Sequence, residues 1–144
     1  MIAVDTNILV YAHRRDSKWH APAFERVRHL AEGSARWAVA WPCIHEFISV
    51  ATNRKAYLPP STLEQALGQV EVWLASPRLQ MLAEHNGYWR ELKALALSGM
   101  ISGGQVHDAR IAALCLQHGV SELWTAGRDF TRFPALKTRN PLVP

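Results

Sequence analysis

Short apolar runs alternate with longer amphipathic segments along the chain, and this alternation restricts the fold more than any other feature. Met1–Val4 is an apolar run that ends at an acid and leads directly into a helix-forming stretch. Between His20 and Glu32, apolar residues recur every three to four positions until Gly33 ends the pattern, and Trp37–Ala40 is a second short strand. Strands that alternate with helices predict an α/β sandwich around a parallel sheet with right-handed crossovers.

The remaining segments continue this pattern. Pro42 suits the first turn of a third helix, and the pair Ser61-Thr62, followed by Gln65, predicts the capped start of a fourth. Further strands are expected at Arg78–Leu82 and Glu122–Trp124, with Leu136–Arg139 as a candidate fifth, and further helices at Tyr88–Met100 and Val106–His118. Because the chain has 144 residues and no linker or internal repeat, residues 1–144 are expected to form a single domain.

Acidic residues stand where these elements begin or end. They are Asp5 after the first strand, Glu46 early in the third helix, Asp108 near the start of its helix and Asp129 in the turn after the fourth strand. In a parallel sheet the ligand crevice lies outside the carboxyl ends of the strands, so these four side chains can converge on one edge. Carboxylate oxygens are the ligands that Mg²⁺ and Mn²⁺ prefer. The pattern therefore predicts a metal-dependent nuclease.

Each acid also has a simpler interpretation. Asp5 could only cap the following helix, Glu46 could be a solvated edge residue, Asp108 could be a helix N-terminal charge, and Asp129 could only form a turn. His45 and His107 each precede one of the acids, but adjacent helical positions point about 100° apart. The two histidines are therefore expected to flank the site and not to line it.

The charge balance and the cysteines indicate which partners and which cellular compartment suit the protein. The formal net charge is +4 and the pI is about 9.4, which suits a polyanionic partner without identifying one. Basic residues that could contact phosphates are Arg14, Arg15, Arg110 and Arg128, followed by Lys18, Arg54, Lys55 and Arg132. Cys43 and Cys115 lie in apolar stretches without a metal-binding spacing, which indicates buried free thiols. With no signal-like or membrane-spanning run, a cytoplasmic protein is expected.

Four stretches resemble the PIN-domain family and, within it, the VapC-type toxins of toxin–antitoxin pairs. In order, they are VDTNILVYAHR, WPCIHEFISVATN, VHDARIAALCLQHGV and LWTAGRDFTRFPAL. The resemblance covers nearly the whole chain and implies a PIN-like three-layer sandwich. It also implies an endoribonuclease that depends on Mg²⁺ or Mn²⁺, is neutralised by a cognate VapB-like antitoxin and forms a homodimer.

The same resemblance assigns roles to individual residues. Asp5, Glu46 and Asp108 match the three acids to which the family gives catalytic and metal-binding roles. Thr6 and Asn7 match the polar pair beside the first acid, and Thr125 is a further supporting candidate. For the homodimer, Trp73 and Trp89 lie on helices that could form the seam between two copies.

The last motif departs from the family pattern Thr-x-Asp-x-Asp-Phe. Gly127 stands where the family has its fourth metal-site acid, and Asp129 matches the second Asp of the motif. Either Asp129 or a water would then do the work of the missing acid, or the metal site is weakened. The alternative function is a catalytically weakened or inactive PIN fold that acts as an RNA- or antitoxin-binding module. A positive φ is also expected for Gly127 in this turn, a conformation that Asp tolerates only at a modest cost. A haloacid-dehalogenase-like phosphatase is disfavoured because its second acid would fall at Asn7.

Overall fold

The computed structural model describes all 144 residues. The strands are β1 (Ile2–Val4), β2 (Trp37–Ala40), β3 (Leu79–Leu82), β4 (Glu122–Trp124) and β5 (Thr138–Arg139). The helices are α1 (Thr6–His13), α2 (His20–Glu32), α3 (Trp41–Ala51), α4 (Leu63–Leu74), α5 (Tyr88–Ser98) and α6 (Gln105–Gln117), and a 3-10 turn spans Asp129–Arg132. The predicted α/β architecture with a parallel sheet is confirmed, and the fifth strand is present.

The five strands are all parallel and lie in the order β3-β2-β1-β4-β5. From β1 the chain builds outward to β2 and β3 on one side, then crosses to place β4 and β5 on the other. Right-handed crossovers in opposite directions put helices on both faces of the sheet. The strand order reverses beside β1, and this switch point is where a crevice opens at the carboxyl ends of the strands.

Local sequence signals explain several of the boundaries. The Thr62 hydroxyl accepts from the Gln65 N–H at 3.1 Å, and the Gln65 side chain accepts from the Thr62 N–H at 2.9 Å, which starts α4 with the predicted capping box. The fifth strand is shorter than expected. Leu136 is buried in the core before the strand begins, and only Thr138 and Arg139 pair with β4.

A continuous apolar core of 34 residues joins the sheet to helices on both sides, so no part of the chain has a separate core. Trp73 belongs to this core: it is 5% exposed and meets the ring of Phe47 edge-on at 4.8 Å. The Trp73 side chain therefore packs within the chain, whereas Trp89 is 69% exposed and is the one of the two with surface available to a second copy. Cys43 and Cys115 are buried free thiols, as predicted. None of the helices is both long and apolar enough to cross a bilayer.

Candidate active site

Asp5 is placed by the pairing of β1 with β4. Val4 lies opposite Trp124, and the Asp5 N–H continues the ladder by donating to the Trp124 carbonyl at 2.9 Å. This register sets Asp5 beside Thr125, whose hydroxyl donates to Asp5 Oδ2 at 2.8 Å. The Thr6 N–H donates to Asp5 Oδ1 at 2.8 Å, so Asp5 also caps α1. The capping role and a place in the site are thus compatible.

The structure brings all four predicted acids to one cavity of about 310 Å³ beside the switch point. Glu46 reaches it from α3, Asp108 from the start of α6 and Asp129 from the first position of the 3-10 turn. The residues that line the cavity are Asp5, Thr6, Asn7, Val10, Tyr11, Glu46, Val50, Tyr57, Asp108, Ile111 and Asp129. Residues far apart in sequence therefore meet at the edge that the strand order predicts.

The carboxylates perturb one another. Burial, followed by the charges of Asp129, Asp5 and Glu46, raises the pKa of Asp108 from its ordinary value of 3.8 to about 6. Burial and the charge of Asp5 also raise the pKa of Glu46, although His107 and Arg110 oppose this. For Asp5, burial raises the pKa despite the hydrogen bonds that favour its ionised form. The cavity therefore concentrates negative charge that a cation would relieve.

The donors that line the cavity fit a hydrated divalent cation. The acids offer only carboxylate oxygens, and Glu46, Asp108 and Asp129 make no hydrogen bond within the chain, so their oxygens are free. As the side chains stand, no three acids come close enough together to ligate one ion directly. Mg²⁺ commonly uses one or two carboxylates and keeps several waters, so the wider spacing fits it better than a dehydrated metal. The buried Thr6 hydroxyl, which has no hydrogen-bond partner, suits an ordered water beside the ion.

Asn7 and Thr125 tie α1 to the turn after β4. The Asn7 amide donates to the Thr125 hydroxyl at 3.3 Å and accepts from the Ala126 N–H at 3.2 Å. The same hydroxyl oxygen accepts from the Gly127 N–H at 3.2 Å. Because this hydroxyl also donates to Asp5, the three contacts fix the orientation of one carboxylate and the path of the turn.

Gly127 does not have a positive φ, so the expectation of a strained conformation there is wrong. A Cβ added at residue 127 would lie 3.5 Å from Asp129 Oδ2 and 3.5 Å from Asn7 Nδ2, which are ordinary contacts. The Asp129 carboxylate therefore occupies the region into which a side chain at residue 127 would extend. Space and backbone geometry would both accept a larger residue at this position.

The arginines predicted to contact phosphates differ in exposure and in how many of their donors are already bonded within the chain. Arg15 and Arg128 are exposed, and Arg110 is half-buried with an Nε that has no partner. The Arg14 guanidinium instead donates hydrogen bonds within the chain: to the two Asp16 carboxylate oxygens at 2.9 and 2.6 Å, to the Ser61 hydroxyl at 3.2 Å and to the Pro59 carbonyl at 2.9 Å. This network holds the α3–α4 loop against α1, which favours a structural role for Arg14 over a phosphate contact. Neither His45 nor His107 lines the cavity, and His45 stacks against Trp41.

Five residues that line the cavity were not predicted as site residues: the aliphatic Val10, Val50 and Ile111 and the aromatic Tyr11 and Tyr57. Tyr11 lies one helical turn after Asn7, so a four-residue spacing on α1 was an available signal for it. Tyr57 reaches the cavity from the α3–α4 loop, and its approach depends on how that loop folds back, which no local pattern indicates.

A PIN-domain family model matches residues 2–136. The VapC ribonuclease Mb2897 of Mycobacterium bovis is 33% identical over 142 residues, which cover 99% of this chain and 96% of that protein. Among solved structures, VapBC2 from Rickettsia felis, bound to a DNA fragment from its promoter, has a TM-score of 0.66 at 22% identity and covers 96% of this chain and 98% of its own. Mycobacterium tuberculosis VapC20, a sarcin–ricin loop cleaving toxin, has a TM-score of 0.64 at 15% identity and covers 91% and 93%. These two structures support the fold.

Proposed function

Because this chain belongs to the PIN-domain family and resembles its VapC ribonucleases over nearly its full length, we propose that it is a divalent-metal-dependent endoribonuclease toxin. The observation that supports this most strongly is the meeting of Asp5, Glu46, Asp108 and Asp129 in one cavity at the switch point of the sheet. These acids come from four separate segments, and their crowding raises the pKa of Asp108 to about 6. Such an arrangement costs stability unless a cation is bound.

The acids and their neighbours divide the proposed chemistry between them. A bound Mg²⁺ or Mn²⁺ would lower the pKa of a water and neutralise the phosphate charge. Asp5, whose two oxygens are fixed by Thr6 and Thr125, supplies a carboxylate of set orientation. Glu46 and Asp108 make no hydrogen bond within the chain and can hold the ion or its waters. Asn7 and Thr125 act as positioning residues, because their contacts hold Asp5 and the following turn together.

Asp129 is the fourth carboxylate of the proposed site. Its Oδ2 lies 3.5 Å from the point where a Cβ on residue 127 would stand, so it supplies an acid in the region that Gly127 leaves open. The alternative of an inactive binding module rested on the loss of that acid. With an acid present in the same region, we favour the active nuclease.

Two apolar surfaces suit the proposed protein partners. A groove of about 360 Å³ between α2 and α4 is lined by Phe24, Val27 and Val72, among others, and we assign it to an apolar segment of a VapB-like antitoxin. On α5 and just beyond it, Trp89 and Leu97 are each 69% exposed and Met100 is 80% exposed. We assign this second surface to a homodimer, since exposed apolar side chains grouped on one helix are typical of interfaces. Arg15 and Arg128, both exposed, are the proposed RNA contacts with the freest side chains.

Cleavage of a mixed single-stranded and structured RNA tests the proposal. The protein should cut RNA with Mg²⁺ or Mn²⁺ and lose this activity in EDTA, because the metal would lower the pKa of the attacking water and neutralise the phosphate charge. Attack by water leaves a phosphate monoester at one new end, whereas attack by the ribose 2′-hydroxyl leaves a cyclic phosphate. Asp5→Asn should abolish cleavage, and Glu71→Gln, at an exposed acid on α4 outside the cavity, should not. Undiminished cleavage by Asp5→Asn, or cleavage in EDTA, would contradict the proposal.

A further inference from the structure

We propose that Tyr11 and Tyr57 form a base-stacking subsite beside the carboxylates, so that the RNA is bound with an unpaired nucleotide next to the phosphate that is cut. This inference rests on the proposed nuclease function and adds a requirement on the substrate. It assigns a role to the part of the cavity wall that contains no acid.

The lining of the cavity combines two kinds of side chain. Besides the four acids, Thr6 and Asn7, it contains the aromatic residues Tyr11 and Tyr57 and three aliphatic residues, Val10, Val50 and Ile111. A phosphate and a hydrated cation make no use of apolar side chains. A nucleobase does, because its flat face is apolar while its edges are polar. The lining as a whole therefore matches a nucleotide better than it matches a phosphate alone.

The Tyr57 ring is held in place before any ligand arrives. The Arg14 guanidinium carbon lies 4.4 Å from the ring centroid, and Arg14 is itself bonded to Ser61, Asp16 and the Pro59 carbonyl. One face of the ring is thus covered by a cation that the loop network fixes, and Tyr57 is also one of the residues that line the cavity. A fixed aromatic surface binds a base with little loss of side-chain freedom.

The two tyrosines lie near each other. Burial raises the pKa of Tyr57, and the proximity of Tyr11 raises it further, so the phenol stays neutral at physiological pH. Neither phenol hydroxyl makes a hydrogen bond within the chain, and both side chains are half-buried. The hydroxyls are therefore free to bond to a ribose or to a base edge, while the rings offer the stacking surface.

A paired base has both faces covered by its neighbours in the duplex, so it cannot lie against either ring unless it leaves the stack. Stacking of a base on an aromatic side chain changes affinity by about five- to a hundredfold when the ring is removed. The subsite therefore favours single strands and loops over duplex RNA, for a reason that is independent of the chemistry at the acids.

Binding, and not cleavage, tests this inference. The protein carries Asp108→Asn, so that it does not turn over, and Mg²⁺ is present. Fluorescence anisotropy compares three labelled probes of equal length: a single-stranded RNA of mixed sequence, its duplex, and a strand in which abasic riboses replace all nucleotides. The abasic strand keeps the phosphate charges and lacks only the bases. Tyr57→Leu and Tyr11→Leu each remove one ring, whereas Tyr57→Phe keeps the ring and removes only its hydroxyl. Tyr88→Leu is the control, because Tyr88 is the only tyrosine outside the cavity.

Tyr57→Leu and Tyr11→Leu should each weaken binding of the base-containing single strand about tenfold or more, with little effect on the abasic strand. Tyr57→Phe and Tyr88→Leu should bind the single strand within about twofold of the parent. Unchanged abasic binding also shows that each variant is folded. The inference would be overturned if the leucine variants lost as much affinity for the abasic strand as for the base-containing strand. It would also be overturned if Tyr88→Leu lost as much affinity as they do, or if the parent bound duplex as tightly as single strand. If these binding results are obtained but the protein with Asp108 intact never cleaves RNA, the nuclease proposal alone is refuted.

Discussion

Asp108→Asn should make the metal-free protein more stable at neutral pH, although it removes a proposed metal ligand. Burial and three neighbouring acids raise the pKa of Asp108 from 3.8 to about 6. At about 1.4 kcal/mol per unit this shift corresponds to roughly 3 kcal/mol, and partial exposure of the carboxyl to solvent reduces the expected gain to about 1–2 kcal/mol. For a chain of 144 residues, this is a rise in melting temperature of about 3–8 °C.

The pH dependence follows from the direction of the shift. Because the folded protein holds the proton more tightly than the unfolded chain, the native state loses stability as pH rises from 3.8 to about 6. Above that window the full penalty of the charged Asp108 is present, and below it the penalty is absent. The advantage of Asp108→Asn over the parent should therefore be complete at pH 7.5 and should vanish near pH 3.5.

Urea unfolding in EDTA at pH 3.5, 5, 6 and 7.5 measures this advantage, with Glu71→Gln as the matched control on an exposed helix face. Saturating Mn²⁺ should reverse the order at pH 7.5, because the cation stabilises the parent more than the variant. A variant that is no more stable than the parent at pH 7.5, or whose gain is the same at every pH, would refute the idea that burial and the neighbouring acids destabilise the charged form of Asp108.

Three further predictions concern single positions. Gly127→Asp should fold normally and bind Mn²⁺ more tightly, with some loss of metal-free stability since Asp129 Oδ2 lies 3.5 Å from the new Cβ; equal Mn²⁺ affinity by calorimetry would mean that Asp129 already supplies all that is needed. Thr125→Val should lower the free energy of unfolding by about 2–3 kcal/mol and slow Mn²⁺-dependent cleavage, because a buried Asp5 oxygen loses its donor, while Thr125→Ser should retain both. Trp89→Glu should convert the proposed dimer to a monomer in sedimentation experiments, and a parent protein that is already monomeric would contradict the assignment of the α5 surface.

Much of the fold was predictable because its signals are local. The alternation of short apolar runs with amphipathic segments gave the parallel sheet, and the pair formed by Thr62 and Gln65 gave the start of α4 within two residues. The sequence did not predict the strand order; in the structure β1 pairs with β4, and this register sets Asp5 beside Thr125. The four acids could be placed at one edge because Asp5 follows β1, Glu46 and Asp108 lie within the first two turns of their helices, and Asp129 begins the turn after β4.

The parts that were not predictable depend on packing at a distance. The spacing of apolar residues in α4 shows that Trp73 lies on an apolar face of the helix. Only the contact with Phe47 in the folded protein shows that this side chain packs in the core. Arg14 is one of several basic residues in the sequence, and its role as a loop anchor depends on the return of Pro59 and Ser61 to α1. The backbone of Gly127 could not be read from its residue type, since glycine adopts negative φ as readily as positive.

Mn²⁺ binding followed by electron paramagnetic resonance tests the central claim, that the four acids form one cation site. We predict that Asp5→Asn, Glu46→Gln, Asp108→Asn and Asp129→Asn each weaken the same high-affinity binding event, by about tenfold or more, because each removes a negative charge from one cavity. Glu71→Gln should leave it unchanged. If Mn²⁺ binds the four cavity variants as tightly as it binds the parent, the acids do not share a metal site and the account is wrong.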